Sequence, residues 1–538
     1  MKYGDKLKNQ SGDALWNEYC DFLNLSINDF MAIQKRLIRE QLPAWLNSEL
    51  GRSIVNTRIP SDLSEFREMV PLTSYEDYSD ILLNKNESAL PEKPVIWLET
   101  TWEGGKHPIK TAPYTQGMID VFRNNLLSVT TLSSTNRDKR TSLKRGDNVL
   151  FGLAPLPYVT GLYPLVFQEE LDLNFLPPVS EASTMSFGER NRKGFSMGVE
   201  QGIDAFFGLS SVIHYMTKSF EDASVSKSGS KHKLTPKMAL RWLNAKVICE
   251  KEQRKMLPKD IFKLKALLCA GTDTSSYKAY LEEAWGIPPH EVFAGTELSM
   301  IATETHTHNG LVLFPDVCFY EFIPESEYEK NRFNPKYEPK TCLIDEIEED
   351  QNYELVITSL KGGAFARYRM GDMFSCYSKS GDTSTSLPIL KYVDRAPTVI
   401  DIAGFTRITE KSITEVIELS MLPIKDWFAK KEYDHNKTPY LHLYIEIKSE
   451  SLDSTALSCQ LLQDHLKAYF KFFDTDYSDL EKMLGIKPLV ISVIKSGSTS
   501  LYKEFTGNNI VKMNPKTHDI KTFLKWIELH EKDGRVFV

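Results

Sequence analysis

Four separated stretches hold residue types that suit a single chemistry: "TTWEGGKHPIK" (100 to 110), "VFAGTEL" (292 to 298), "FARYRMGDMF" (365 to 374) and "SGSTSLYKEF" (496 to 505). Activating a carboxylate with ATP needs an aromatic surface for adenine and a carboxylate to accept the ribose hydroxyls. It also needs a carboxylate for Mg²⁺, donors for the α-phosphate, and a cation near the bond being made. Phe293 offers the ring, Thr296 a donor to the α-phosphate, Glu297 a ligand for Mg²⁺ and Asp372 an acceptor for a ribose diol. Each stretch follows a strand-like apolar run, where α/β enzymes place their site residues.

Taken singly, each stretch also has a plain reading. "FAGTE" fits a strand, a glycine turn and a helix N-terminus with Glu in its first turn. "YRMGD" fits an Asx-turn beside surface-paired Arg367 and Arg369. Lys503 fits a solvated lysine in a loop. His306 and His308 in "ETHTHNG" alternate as metal ligands can, but with no third ligand they fit a polar loop after a helix.

In "TTWEGGKHPIK", backbone N–H groups around Gly104 and Gly105 can cradle an anion that Lys106 and Lys110 neutralise. The spacing is not that of a P-loop, and a hairpin turn is the competing reading.

The elements that must position these residues follow from the rest of the chain. Its 538 residues exceed the size at which one core stops growing, so at least two domains are expected. With 41% hydrophobic and 26% charged residues and a net charge of −8, it reads as a globular protein with no global attraction to nucleic acid or anionic membrane. The seven cysteines are scattered and form no C-x-x-C pair, which fits a reducing compartment better than a disulfide framework or zinc site. The N-terminus has no apolar h-region and no stretch approaches a membrane span, so a cytoplasmic location is expected.

Residues 12 to 50 carry apolar positions at helical spacing, with Ser26 as N-cap. From about 94, short apolar runs such as "PVIWLETT", "NVLFGLAPLPY" and "LNFLPPV" alternate with helical segments such as 194 to 217, which points to α/β architecture. The polar stretches 219 to 236, 325 to 341 and 378 to 386 read as surface loops. After them come a helix near 410 to 420, a strand "YLHLYIEI", a helix near 455 to 473 and a strand "LVISVI", the order of a compact α+β domain.

"FREMVPLTSYEDYSDIL" (66 to 82), "FAGTELSMIA", "LFPDVCFYEFIP" (313 to 324), "FARYRMGD" and "SGSTSLYKEF" resemble, in the same order, segments of the auxin-responsive Gretchen Hagen acyl acid amido synthetases and their bacterial relatives. That family belongs to the adenylate-forming superfamily. The resemblance implies an α/β fold with a large N-terminal domain binding ATP and acid (1 to 393), a hinge (394 to 404), and a small mobile α+β C-terminal domain (405 to 538). It implies an ATP- and Mg²⁺-dependent ligase that forms an acyl-adenylate from a small carboxylic acid and passes the acyl group to an amine or amino acid. A thiol acceptor such as coenzyme A is the alternative, and no nucleic acid or membrane partner is expected.

By motif match, Thr296 and Glu297 take the α-phosphate and Mg²⁺ roles, Phe293 lies by adenine and Asp372 clasps ribose. Lys503 becomes the C-terminal lysine brought to phosphate and carboxylate, and Arg395 the hinge-side arginine on ribose or phosphate. "APLPYVTGLYPL" and "FSMGVEQGIDAFFGLSS" fall where the acid cleft is expected. In the phosphate loop Thr100 and Thr101 match its start, Gly105 its later glycine and Lys110 its lysine, whereas Trp102 and Glu103 depart from it. A carboxylate ~4 Å from a phosphate charge costs ~4 kcal/mol at an effective dielectric near 20. Glu103 must therefore turn away, bind a cation, or mark altered use of the nucleotide. A nucleotide-binding relative that has lost the chemistry is the competing class.

Overall fold

The computed structural model describes residues 1–55, 58–100, 103, 106–135, 141–225, 234–404, 406–435, 437–447, 452–473, 489–507 and 509–532. It divides into two units: unit 1 comprises 1–100 and 110–394, and unit 2 comprises 101–109 and 395–538.

Helix Ile27–Asn47 starts where Ser26 Oγ accepts from Asp29 N at 3.1 Å, and it buries Phe30, Met31, Leu37, Ile38 and Trp45 along one face. Its buried Gln34 donates to Pro315 O (2.6 Å) and Cys318 O (2.8 Å), and Trp45 Nε1 donates to Ala364 O (2.7 Å). These bonds give buried polar groups partners and fix the helix against the sheet.

In unit 1, β1 (Ile96–Glu99) and β2 (Thr111–Tyr114) form an antiparallel hairpin. The parallel strands are β3 (Asn148–Gly152), β4 (Asn174–Leu176), β5 (Ala205–Leu209), β6 (Ala266–Ala270) and β7 (His290–Gly295). The antiparallel strands are β8 (Ser299–Glu304), β9 (Leu311–Leu313), β10 (Cys318–Pro324), β11 (Asn352–Ser359), β12 (Tyr368–Ser378) and β13 (Ile389–Arg395). β3 to β13 make one eleven-stranded sheet in the order β10-β11-β12-β13-β9-β8-β7-β6-β5-β3-β4.

β7 is where the sheet changes character, running parallel to β6 and antiparallel to β8. The strands "NVLFG", "AFFGL" and "ALLCA" are continuous apolar runs because a parallel sheet is covered on both faces. That lack of alternation explains one correction. The segment 194 to 217 is not all helix: helix Phe187–Gln201 stops at Gly202, whose φ of +99° suits glycine, β5 follows, and helix Ser210–Val225 comes next.

The stretch 325 to 341 is also not all loop. Helix Glu325–Phe333 starts it, with acidic residues in the first turn, basic ones in the last, and Tyr328 buried. Helix Ser210–Val225 and helix Pro236–Lys251 take both ends of 219 to 236.

Unit 2 contains the hairpin β14 (Val399–Ile402) and β15 (Thr406–Thr409), and a sheet β16-β17-β18 of Ile424–Tyr433, Pro439–Ile447 and Leu489–Ile494. β16 and β17 are antiparallel. β17 and β18 are parallel and joined through helix Leu452–Phe473, as a parallel pair requires. Phe428, Tyr444, Tyr502, Phe523 and Trp526 form a core between this sheet and helices Ser498–Thr506 and Thr517–Lys532.

Candidate active site

"FAGTE" lies at the sheet's change of direction. Phe293 is on β7, Thr296 and Glu297 form the turn, and β8 returns antiparallel with Gly295 opposite Ser299. A strand, not a helix, follows the turn. A Cβ at Gly295 would stand 2.7 Å from Met370 Cε and 3.1 Å from Glu297 Oε2, so those two side-chain ends would have to move aside. Tyr114 OH donates to Thr296 O at 2.9 Å and Tyr368 OH to Glu297 Oε1 at 3.3 Å, so two tyrosines hold the turn. Burial, and then the Glu297 charge, push the Tyr114 hydroxyl well above its usual range, and Tyr75 shifts the same way. Tyr114 therefore stays a neutral donor at any physiological pH.

Asp372 is brought to this turn's neighbourhood by an irregularity in β12. Between the pairs Glu354↔Met373 and Val356↔Arg369, one residue of β11 opposes three of β12, and Gly371 takes φ +72°. The Asp372 carboxylate is 5% exposed and accepts from Tyr392 OH at 2.9 Å. Tyr392 stacks on Phe293 with ring centroids 5.6 Å apart at 29°, and Phe374 stands edge-on to both at 4.9 and 5.4 Å. An aromatic wall and a hydrogen-bonded carboxylate thus adjoin on β7, β12 and β13. Tyr392 went unmarked in the sequence, although it sits three residues before Arg395 in a strand-like run.

The neighbouring arginines are not surface-paired. Arg367 is 6% exposed and binds Glu321 through Nε and Nη2, each at 3.0 Å, while Arg369 binds Glu354 in the same forked way at 3.0 and 2.6 Å. Such bidentate pairs answer the desolvation of both charges; the second ties β12 to β11, and the first ties the residue before β12 to β10.

The phosphate-loop candidates divide. Thr100 Oγ1 accepts from Lys110 N at 3.0 Å and Thr100 N donates to Lys110 O at 2.9 Å, extending the β1–β2 hairpin at its loop end. The Lys110 ammonium lies 5.8 Å from the Tyr75 ring centroid. Thr101 and Gly105, with Trp102 and Gly104, lie outside the described residues. Thr100 and Lys110 therefore close a hairpin, while the anion-cradling reading rests on Gly104 and Gly105, which lie outside the described residues.

In unit 2, Glu103 binds cations: its Oε2 is 3.7 Å from Arg395 and 3.6 Å from Arg407. Arg407 also reaches the fully buried Asp401 at 3.3 Å, and Gly404 N donates to that carboxylate at 2.7 Å. Burial opposes ionisation of Asp401, yet Arg407, Lys431 and Arg395 hold its carboxyl below the usual range. The sequence reading missed Asp401 and Arg407, whose signal is a charge pair astride the "IAGF" turn.

Lys503 is exposed on helix Ser498–Thr506 and not in a loop. That helix is held at its N-terminus by Glu446, a fully buried carboxylate on β17 that accepts from Gly497 N (2.8 Å), Thr499 N (2.9 Å) and Thr499 Oγ1 (2.7 Å). His306 and His308 follow a strand, β8, and His308 Nδ1 is 3.3 Å from Glu304 Oε2.

Residues 311–395 match the profile of the GH3 family central domain, and that segment contains Asp372, Tyr392 and Arg395. Among solved structures, the acyl acid amido synthetase GH3.15 in complex with 2,4-DB superposes at TM-score 0.51 and 16% identity, covering 96% of each chain. A 2-hydroxyisobutyryl-CoA ligase in complex with 2-HIB-AMP and CoA superposes at TM-score 0.55 and 14% identity, covering 92% of this chain and 94% of that one. No curated protein matches the sequence. The mixed α/β fold is that of these two solved ligases.

Proposed function

We propose that the protein is an ATP-dependent carboxylic acid ligase that forms an acyl-adenylate and transfers the acyl group to an amine or amino acid in preference to a thiol. The observation that carries this reading is the adjacency of the Phe293–Tyr392–Phe374 wall to the Tyr392-bound Asp372 carboxylate. It provides the two surfaces a nucleoside requires, one for the base and one for the ribose diol. Thr296 donates to the α-phosphate, Lys110 and Arg395 face phosphate or ribose, and Lys503 stabilises the charge that develops as the acid oxygen bonds to the α-phosphorus and pyrophosphate leaves. Nucleophilic attack of the amine on the carbonyl then expels AMP.

The donor set suits Mg²⁺ of the substrate-shared kind. Mg²⁺ bound with phosphates needs one or two protein carboxylates, and Glu297 supplies one. Among the described residues no group of three His, Cys, Asp or Glu forms a closed protein cage. The ion would neutralise phosphate charge.

The pairing of Glu103 with Arg395 and Arg407 supports a second reading, a relative with weakened nucleotide use. Screening acids with hydroxylamine as trapping nucleophile tests the main one: the account expects acid- and ATP-dependent hydroxamate. ATP binding by calorimetry without any hydroxamate would favour the second reading. Amino acids against coenzyme A as acceptors then separates amide from thioester formation.

A further inference from the structure

Side chains alternate along β17, and the period of two puts Tyr440, His442 and Tyr444 on one face of the unit 2 sheet. On that face each flanking strand brings a diagonal neighbour to His442. Glu432 on β16 lies opposite Tyr440, and Ser492 on the edge strand β18 lies opposite Tyr444. The sheet thus lines up a carboxylate, an imidazole and a hydroxyl across its three strands.

His442 Nδ1 is 2.8 Å from Glu432 Oε2, and His442 Nε2 is 2.8 Å from Ser492 Oγ. A carboxylate only accepts, so Nδ1 carries the proton of the neutral ring and Nε2 accepts from the Ser492 hydroxyl. The ring is held in that orientation from two directions. It stacks on Tyr444 with centroids 4.0 Å apart at 25°, and its partner Glu432 also accepts from Tyr440 OH at 2.9 Å and Tyr444 OH at 3.3 Å. Burial opposes ionisation of Glu432, yet the bonds from His442 and the two tyrosines hold its carboxyl below the usual range. A nucleophile and a base within hydrogen-bond reach, the base oriented by a third group, is the arrangement that activates a serine. Ser492 is half-buried, and Val490, next along the same face of β18, is 38% exposed, so the face opens to solvent beside the hydroxyl.

We propose that Ser492 and His442, positioned by Glu432, form a second catalytic site at which Ser492 takes an acyl group from a carboxylic ester. Ser492 Oγ attacks the ester carbonyl as its proton passes to His442 Nε2. The bond from the carbonyl carbon to the ester oxygen then breaks, the departing alkoxide takes the proton from Nε2, and an acyl-serine remains. Water hydrolyses that acyl-serine with His442 again as base, which releases the acid and restores the hydroxyl. Glu432 keeps the ring oriented and stabilises the imidazolium formed in each step. None of these residues has a role in the adenylation reading, so the two are tested separately.

The test is labelling of the intact protein with an alkyl phosphonofluoridate, which forms an O–P bond to an activated serine and loses fluoride while the proton passes to His442 and then to solvent. Peptide mapping by mass spectrometry is expected to place a single label per chain on Ser492, and p-nitrophenyl acetate should give a burst of nitrophenol that Ser492→Ala lacks. His442→Gln can keep both hydrogen bonds but is no base, so it should slow labelling by about a hundredfold or more. A network that serves stability alone would leave that rate unchanged. No label on Ser492 in folded wild-type protein, or equal labelling rates for wild type and His442→Gln, overturns the proposal. If His442→Gln does not fold, Ser492→Ala decides, and a burst that persists there overturns it.

Discussion

Tyr392 donates its hydroxyl to Asp372 Oδ1 at 2.9 Å while its ring stacks on Phe293 at 5.6 Å, so one side chain joins the carboxylate to the aromatic wall. A ribose contact made before and during reaction acts on binding more than on the chemical step. Asp372→Ala is expected to raise the apparent KM for ATP with a smaller effect on kcat, and Tyr392→Phe to shift KM in the same direction by less. Steady-state kinetics in ATP check both, and a change confined to kcat would contradict the nucleotide role.

Much of this site was legible because its parts are local. "FAGTE" and "YRMGD" each place a chemical group beside a glycine, and the strands before them are apolar runs. The pairing that organises them was not legible, because Tyr392 reaches Asp372 across twenty positions and through a bulge that only strand pairing reveals. The helical reading of 194 to 217 failed for a related reason: "AFFGL" lies in a sheet covered on both faces and so shows no alternation. Helix Glu325–Phe333 was hidden by polarity, since it buries little beyond Tyr328. Glu103 posed a question that sequence alone left open, and Arg395 and Arg407 answer it from 292 and 304 positions away in the chain.

Glu446 gathers Gly497 N, Thr499 N and Thr499 Oγ1 within 2.9 Å and fixes the helix that carries Lys503. Glu446→Gln places an amide N–H₂ among donors and is expected to cost about 1–3 kcal/mol of unit 2 stability. Lys503→Ala, in contrast, should leave stability unchanged and lower the adenylation rate by about a hundredfold, with ATP dissociation within severalfold. Denaturant unfolding and single-turnover kinetics separate the two effects. Wild-type adenylation by Lys503→Ala would make the lysine a surface residue.

Glu103 neutralises Arg395 and Arg407 at 3.7 and 3.6 Å, and both arginines gain an anion's attraction once it is removed. Glu103→Thr is expected to lower the ATP dissociation constant severalfold, most clearly at low ionic strength, where charge effects are least screened. Unchanged affinity across salt concentrations would show that neither arginine meets the nucleotide.

His290 is 1% exposed on β7, with Nε2 2.9 Å from Thr303 Oγ1. Burial pushes its imidazole from 6.5 down to about 3, against the pull of Glu304. Below 6.5 the unfolded chain takes up a proton that the folded chain refuses, so this contribution to stability is full above 6.5 and declines as pH falls toward 3. Lowering the pH by about one unit from there should cost about 1 kcal/mol through this group. Urea midpoints on either side of that range, compared with those of His290→Gln, check it: the variant should lose that part of the slope, and an unchanged slope would contradict the assignment.

Acid-dependent exchange of labelled pyrophosphate into ATP tests the central claim most directly, because it reads the reversible adenylation step without any acceptor. With folded protein, Mg²⁺ and a panel of aromatic and branched carboxylic acids, the account predicts exchange that requires one or more of the acids and is lost in Lys503→Ala. No exchange with any acid, from protein shown by calorimetry to bind ATP, would contradict it.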